Sequence, residues 1–443
     1  MDLPVGPPFV IRARLLTPLG DGGSRHEPDA LIDIDADGRI GAIRPASGDP
    51  GATSAIDLRP WVAMPGMVDL HAHLPQLPNA GLGAGMGLLA WLERYIFPLE
   101  RAFDATTAER IAPAAWRAFA AAGTTTAMVY GAVYEASLDA TFRAAEEHGI
   151  RAVIGKVMMD RGTYDPTIEP AAILDRSLAE SARLIERWHG VDGGRLRYAV
   201  TPRFAVSCTV ELLRESAALA RSTGTYWQTH VAEDPGEMAE VRRLFPEALD
   251  YVDVYDRAGG LGERTVLAHA VHLSDRELER LVATGTRVAH CPSSNLFLAS
   301  GVMPLGRYLA AGLPVGLGSD VAGGPDLSLF SVMRVGSYAQ NATGGPAPTP
   351  LEWLRLGTLD GARALGLGDV IGSLETGKEA DLIVVDPSMV APIEGVEDDD
   401  PSDLASRLIF RGHPDMVRGV WVRGRRLEGP RGQHPDGSEG AVA

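Results

Sequence analysis

Between residues 64 and 320 short apolar runs ending in polar residues alternate with segments of helical period rich in Ala, Leu, Arg and Glu. Parallel strands need long crossovers, and helices supply them. Strands alternating with helices therefore predict βα units around a parallel sheet. The strand candidates are Met64–His73, Thr124–Ala132, Arg151–Asp160, Arg195–Ala205, Tyr226–Glu233, Thr265–Leu273, Arg287–Asn295 and Pro314–Asp320. Helix starts are marked as well: Ser274-Asp275-Arg276-Glu277 is a capping box, and Thr349-Pro350-Leu351-Glu352 puts Pro at the first helical position. Eight such units suit a (β/α)8 TIM barrel, with an expected span of 64–371.

The two chain ends read differently. Residues 8–62 and 373–428 carry short strands with turn signals, such as Leu31-Ile32-Asp33-Ile34 and Asp381-Leu382-Ile383-Val384-Val385. Neither end is long enough for a core alone. The expectation is one composite β-sandwich domain from 1–63 and 372–443; two separate edge extensions are the alternative. Residues 395–403 read as an acidic loop and 430–443 as a frayed tail.

Composition narrows the class. With 443 residues, 45% hydrophobic and 22% charged, the chain is globular, and no run of about 18 apolar residues predicts a membrane span. The N-terminus lacks a signal-peptide layout, and two cysteines, Cys208 and Cys291, are too few for a disulfide scaffold or a thiolate metal site. A cytoplasmic location is expected. The formal charge of −17 repels phosphate backbones, so nucleic acid is an unfavourable partner. A small neutral base is not excluded.

Polar residues at the strand ends carry the chemistry. His71 and His73 are spaced i, i+2, so on a strand both point the same way. His230, His269 and Asp320 each close a later strand candidate. Three imidazoles and one carboxylate, His71, His73, His230 and Asp320, suit one divalent ion, Zn²⁺ or Fe²⁺, with a position left for water. His290 on the seventh strand and His272 beyond the sixth are not expected to ligate, the latter as a surface residue. Lys156 is expected to be structural, with one buried partner rather than a role bridging two ions.

These residues resemble a known family. Pro65-Gly66-Met67-Val68-Asp69-Leu70-His71-Ala72-His73, followed in order by His230, His269 and Asp320, is similar to the amidohydrolase superfamily in its single-metal aminohydrolase branch. The continuation His73-Leu74-Pro75-Gln76, the stretch Leu88–Glu100, Thr201–Ala205, Gln228–Glu233, Ala289–Asn295 and Gly316–Gly324 look like the guanine deaminases within it. Ile96, where those enzymes usually show Thr, and the Gly-rich loop Pro78–Gly87, expected to border the pocket, depart from the pattern.

The resemblance implies hydrolysis of guanine to xanthine and ammonia, with Arg203 and Gln76 as the guanine-recognising pair and a homodimeric assembly. Asp320 is placed to accept a proton from the attacking water, and Glu233 fits a general acid/base, its alternative being a solvated helix-start carboxylate. His269 would hydrogen-bond the water, or else ligate. Trp91 and Phe204 offer flat faces for a base, though Trp91 also suits an ordinary core role. The same chemistry on a pterin, an oxidised purine or a triazine is the nearest alternative; a non-catalytic scaffold is the alternative of another class.

Overall fold

The computed structural model describes residues 3–163, 167–169, 172–393, 395–396 and 400–429; the expected tail at 430–443 lies outside them. The chain first lays down β1 (Phe9–Pro18), β2 (Ser24–Ile34), β3 (Ile40–Pro45) and β4 (Ile56–Pro65). The barrel strands follow: β5 (Met67–His73), β6 (Thr124–Tyr130), β7 (Arg151–Gly155), β8 (Val157–Met158), β9 (Leu196–Pro202), β10 (Tyr226–Val231), β11 (Thr265–His269), β12 (Arg287–His290) and β13 (Val315–Leu317). Last come β14 (Leu382–Val385), β15 (Val417–Val422) and β16 (Arg425–Arg426).

All pairs within the barrel ladder are parallel, in the order β13-β12-β11-β10-β9-β7-β6-β5. The third expected strand is broken at Lys156 into β7 and β8, both of which pair with β9. Just past β13 the ring is drawn shut, as Asp320 N–H donates to His71 O at 2.7 Å and His73 N–H to Val321 O at 2.8 Å. Most strands stop two to five residues before their apolar runs end, because the chain leaves the ladder to form the mouth. The run through Asn295 is the clearest case: Pro292 opens a helix, Pro292–Phe297. The capping box expected at Ser274 is present, and the helix expected at Thr349, with Pro350 at its first position, begins with a capping box too.

The chain ends meet in a second, seven-stranded sheet, ordered β16-β15-β14-β4-β1-β2-β3. Alternate residues face one way along a strand. Here Ile11, Ala13 and Leu15 of β1, Ala30, Ile32 and Ile34 of β2, Leu382 and Val384 of β14 and Trp421 of β15 share one core. The acidic stretch 395–403 is not all loop: Asp400 caps a helix, Pro401–Phe410, accepting from the Ser402 and Asp403 N–H groups. Beneath the barrel, Arg151 at the start of β7 pairs with Asp381 at 2.9 Å and Glu379 at 2.6 Å. Arg423 reaches the same Glu379 at 2.8 Å from the small sheet.

Candidate active site at the barrel mouth

The C-terminal ends of barrel strands are where side chains can turn toward a common centre. His71 and His73 end β5 with ring centroids 5.0 Å apart, edge to face. His230 comes from β10, His269 from β11, and Asp320 follows β13. His269 and Asp320 hold left-handed backbone, φ 73 and 47. Residues with a Cβ seldom adopt it unless the surroundings demand that direction. Gly318 shows how tight the junction is: a Cβ there would lie 2.8 Å from His71 Cβ and 2.9 Å from Cys291 Sγ. Asp69 locks the same junction from behind, accepting from Ser319 Oγ at 2.5 Å, Ser319 N–H at 3.0 Å and His71 N–H at 3.1 Å. Burial lifts the Asp69 carboxyl to about 6 despite these bonds.

The donor atoms converge. His71 Nε2 and His73 Nε2 lie 3.2 and 3.4 Å from Asp320 Oδ1, and His73 Nε2 is 3.2 Å from His230 Nε2. Ligand bonds of about 2.1 Å in a tetrahedral shell put the ligands roughly 3.4 Å apart, so these side chains fit one ion. His71 Nε2 is buried and has no hydrogen-bond partner among the described residues. Such an orphan calls for a missing partner. His230 Nδ1 donates to the Arg203 carbonyl at 2.6 Å, which leaves the Nε2 lone pair for the cluster. Burial above all holds His71, His73 and His230 below the ordinary histidine range, in the neutral form that ligates. Burial would raise the Asp320 carboxyl, but its contacts with His71, His269 and Ser294 together hold it below its ordinary range.

Two further groups face the same space. Burial, reinforced by the charge of Asp320, pushes the Glu233 carboxyl well above its usual range. Its Oε1 accepts from Ser300 Oγ at 3.3 Å, and Oε2 lies 3.4 Å from His269 Nε2. His269 Nδ1 meets Asn295 Oδ1 at 2.9 Å, so Nε2 is the atom turned inward, 3.7 Å from Asp320 Oδ2. His71, His230 and His269 also form a possible donor group, so His269 lies within reach of either role foreseen for it.

A cavity opens over these groups. Its wall includes His73, His230, Glu233, His269 and Asp320, and also Gln76, Arg203, Phe204 and Trp91. His71 sits beneath the wall, its ring 4.8 Å from that of His230.

Leu88, Leu92 and Leu298 complete the lining without having been foreseen. So was Glu100, which is fully buried and accepts from Gln76 Nε2 at 2.7 Å while pairing with Arg203. The signal for it was a carboxylate closing the apolar stretch Ile96-Phe97-Pro98-Leu99. A buried carboxylate implies a buried cation.

The Gly-rich loop is one layer farther out than expected. None of its residues lines the cavity; it is tied down by Trp91 Nε1–H donating to Leu82 O at 2.9 Å and Gly85 N–H donating to Phe297 O at 2.7 Å. Trp91 thus serves both wall and loop. Ile96 is buried in the core and does not line the cavity. Lys156 pairs with Glu180 at 3.1 Å on the helix Ile173–Trp188, away from the cavity. His290 belongs to none of the donor groups; His272 is partly buried rather than on the surface, 2.8 Å from Ser300 O.

Known proteins resemble this chain along most of its length. Residues 62–427 match the Amidohydrolase family. A probable guanine deaminase of Deinococcus radiodurans is 42% identical over 375 residues, covering 83% of this chain and 84% of that protein. The guanine deaminase of Escherichia coli is 37% identical over 381 residues, 85% of each chain. Among solved structures, a guanine deaminase of C. acetobutylicum with bound guanine in the active site superposes with a TM-score of 0.86 at 28% identity, covering 95% of this chain and 99% of that one.

Proposed function

The chain belongs to the amidohydrolase family, and from that premise we propose that it hydrolyses guanine to xanthine and ammonia with one divalent ion, zinc by preference. The observation that carries this is the buried Nε2 of His71, without a hydrogen bond among the described residues, within a shell of donors beside a wall bearing Arg203 and Gln76. His71, His73, His230 and Asp320 would hold the ion. When bound, it supplies Lewis acidity that brings the pKa of water toward neutrality.

The chain's own groups do the rest. Asp320 accepts the proton of the attacking water. Glu233, kept protonated by burial, gives its proton to the ring nitrogen of the purine, takes one back from the hydroxyl now on the ring carbon and passes that to the departing amine, after which the proton held by Asp320 restores it. His269 Nε2, between Glu233 and Asp320, orients the attacking water. Arg203 donates to the ring carbonyl, Gln76 meets the adjoining amide edge, and Phe204 and Trp91 bound the ring faces. The domain division at 1–63 with 372–443 against 64–371, a cytoplasmic location and a homodimer belong to the same proposal. Among the described residues no helix is long and apolar enough to cross a membrane.

The test is ammonia release from guanine, adenine, a pterin and a triazine, together with metal analysis. Guanine should be converted to xanthine by protein carrying close to one ion per chain. Adenine lacks the carbonyl and offers Arg203 an amine in its place, so it should be disfavoured by about 10⁴-fold. Turnover of the pterin with none of guanine would overturn the proposal.

A further inference from the structure

We propose that Glu100 is a positioning residue that fixes which edge of the base the pocket accepts, an inference that rests on the guanine reading. An ionised carboxylate only accepts hydrogen bonds. Glu100 Oε1 takes one from Gln76 Nε2 at 2.7 Å, and Oε2 takes one from Arg203 Nη1. The orientation of the Gln76 amide is therefore set by chemistry: its NH₂ group must face Glu100. Oε1 is then the atom that Gln76 offers as an acceptor, and its contact with the protein there is a long 3.4 Å bond from Ala322 N–H.

The same carboxylate balances the Arg203 guanidinium, which is buried and stacked 5.3 Å from the Phe97 ring centroid. Gln76 and Arg203 lie on strand-end segments far apart in the chain, and Glu100 is fully buried between them. One side chain thus sets an acceptor next to a cation on the wall. That pair is complementary to a ring N–H beside a ring carbonyl. Glu100 does not line the cavity and acts only through its two partners.

The test compares guanine with 2-aminopurine, which carries the amine to be removed but neither the carbonyl nor the adjoining ring N–H. In Glu100→Gln the new amide has one acceptor oxygen for two donors, so one partner loses its hold. Guanine kcat/KM should fall by about 100-fold, mostly through KM, while 2-aminopurine changes by no more than about 3-fold. Bound metal should match the parent. Glu100→Asp keeps the charge on a shorter arm and should recover part of the preference; it decides the matter if Glu100→Gln fails to fold. Folded, metal-loaded variants losing guanine and 2-aminopurine turnover by equal factors would overturn the positioning role alone. A parent protein inactive on guanine would overturn it together with the guanine reading.

Discussion

At the foot of the barrel Arg151 lies between Asp381 and Glu379, with Arg423 closing the set. At the mouth His71, His73, His230 and Asp320 crowd together, and the buried Nε2 atoms of His71 and His269 find no hydrogen-bond partner among the described residues. Both clusters are buried and polar. The foot is internally complete, each charge facing an opposite one, so it needs nothing from outside and serves to join the two sheets. The mouth is incomplete, and its surplus of lone pairs costs stability until something fills it. The balance of donors and acceptors, more than burial or charge, separates a joint from a site.

The largest expected effect tests the incomplete end. His71→Ala should lose its metal and at least roughly a thousandfold in kcat/KM, because hydroxide near neutral pH depends on the ion. Its metal-free form should melt modestly below the metal-free parent, since a buried ring packed on Tyr130 and His230 is lost. Retained metal by elemental analysis, or near-parental turnover, would break the comparison. At the complete end the pattern reverses. Arg151→Met leaves Asp381 and Glu379 buried without their cation, and should cost about 3–5 kcal/mol in denaturant unfolding. The kcat/KM of the folded fraction should stay within about 3-fold of the parent.

The smallest effect is pH-dependent. Burial would raise Glu379, but Arg151 and Arg423 together outweigh it and hold the carboxyl below its ordinary range. The folded chain then binds fewer protons there than the unfolded one. The associated stability is complete above the ordinary glutamate value of about 4.3 and is lost as pH falls through the depressed folded value. Glu379→Gln should remove part of that acid slope, on the order of 1 kcal/mol, in melts from pH 6 to pH 3. An unchanged slope would place acid sensitivity elsewhere.

How much of this was legible in the chain follows from distance. The barrel strands could be read because each is a local apolar run, and the pair His71 and His73 because a two-residue repeat is enough to align them. The Glu100–Arg203 pair spans 103 residues; the carboxylate closing an apolar stretch signals a buried cation but not which one. The break at Lys156 was hidden because a lysine in an apolar run looks like part of the strand; only the reach to Glu180 shows why it faces outward. At 400–403 the signal was present, since Asp400-Pro401 is a helix start, but the run of acids around it read as loop.

The second sheet has a temporal consequence. β4 is made early, yet its pairing with β14 needs residues more than 300 positions later. While the polypeptide leaves the ribosome, one margin of that early strand stands bare as the whole barrel assembles beside it. Closure of that sheet thus waits for residues made after those of the barrel. A nascent chain halted before residue 382 would leave that margin of β4 without its neighbour.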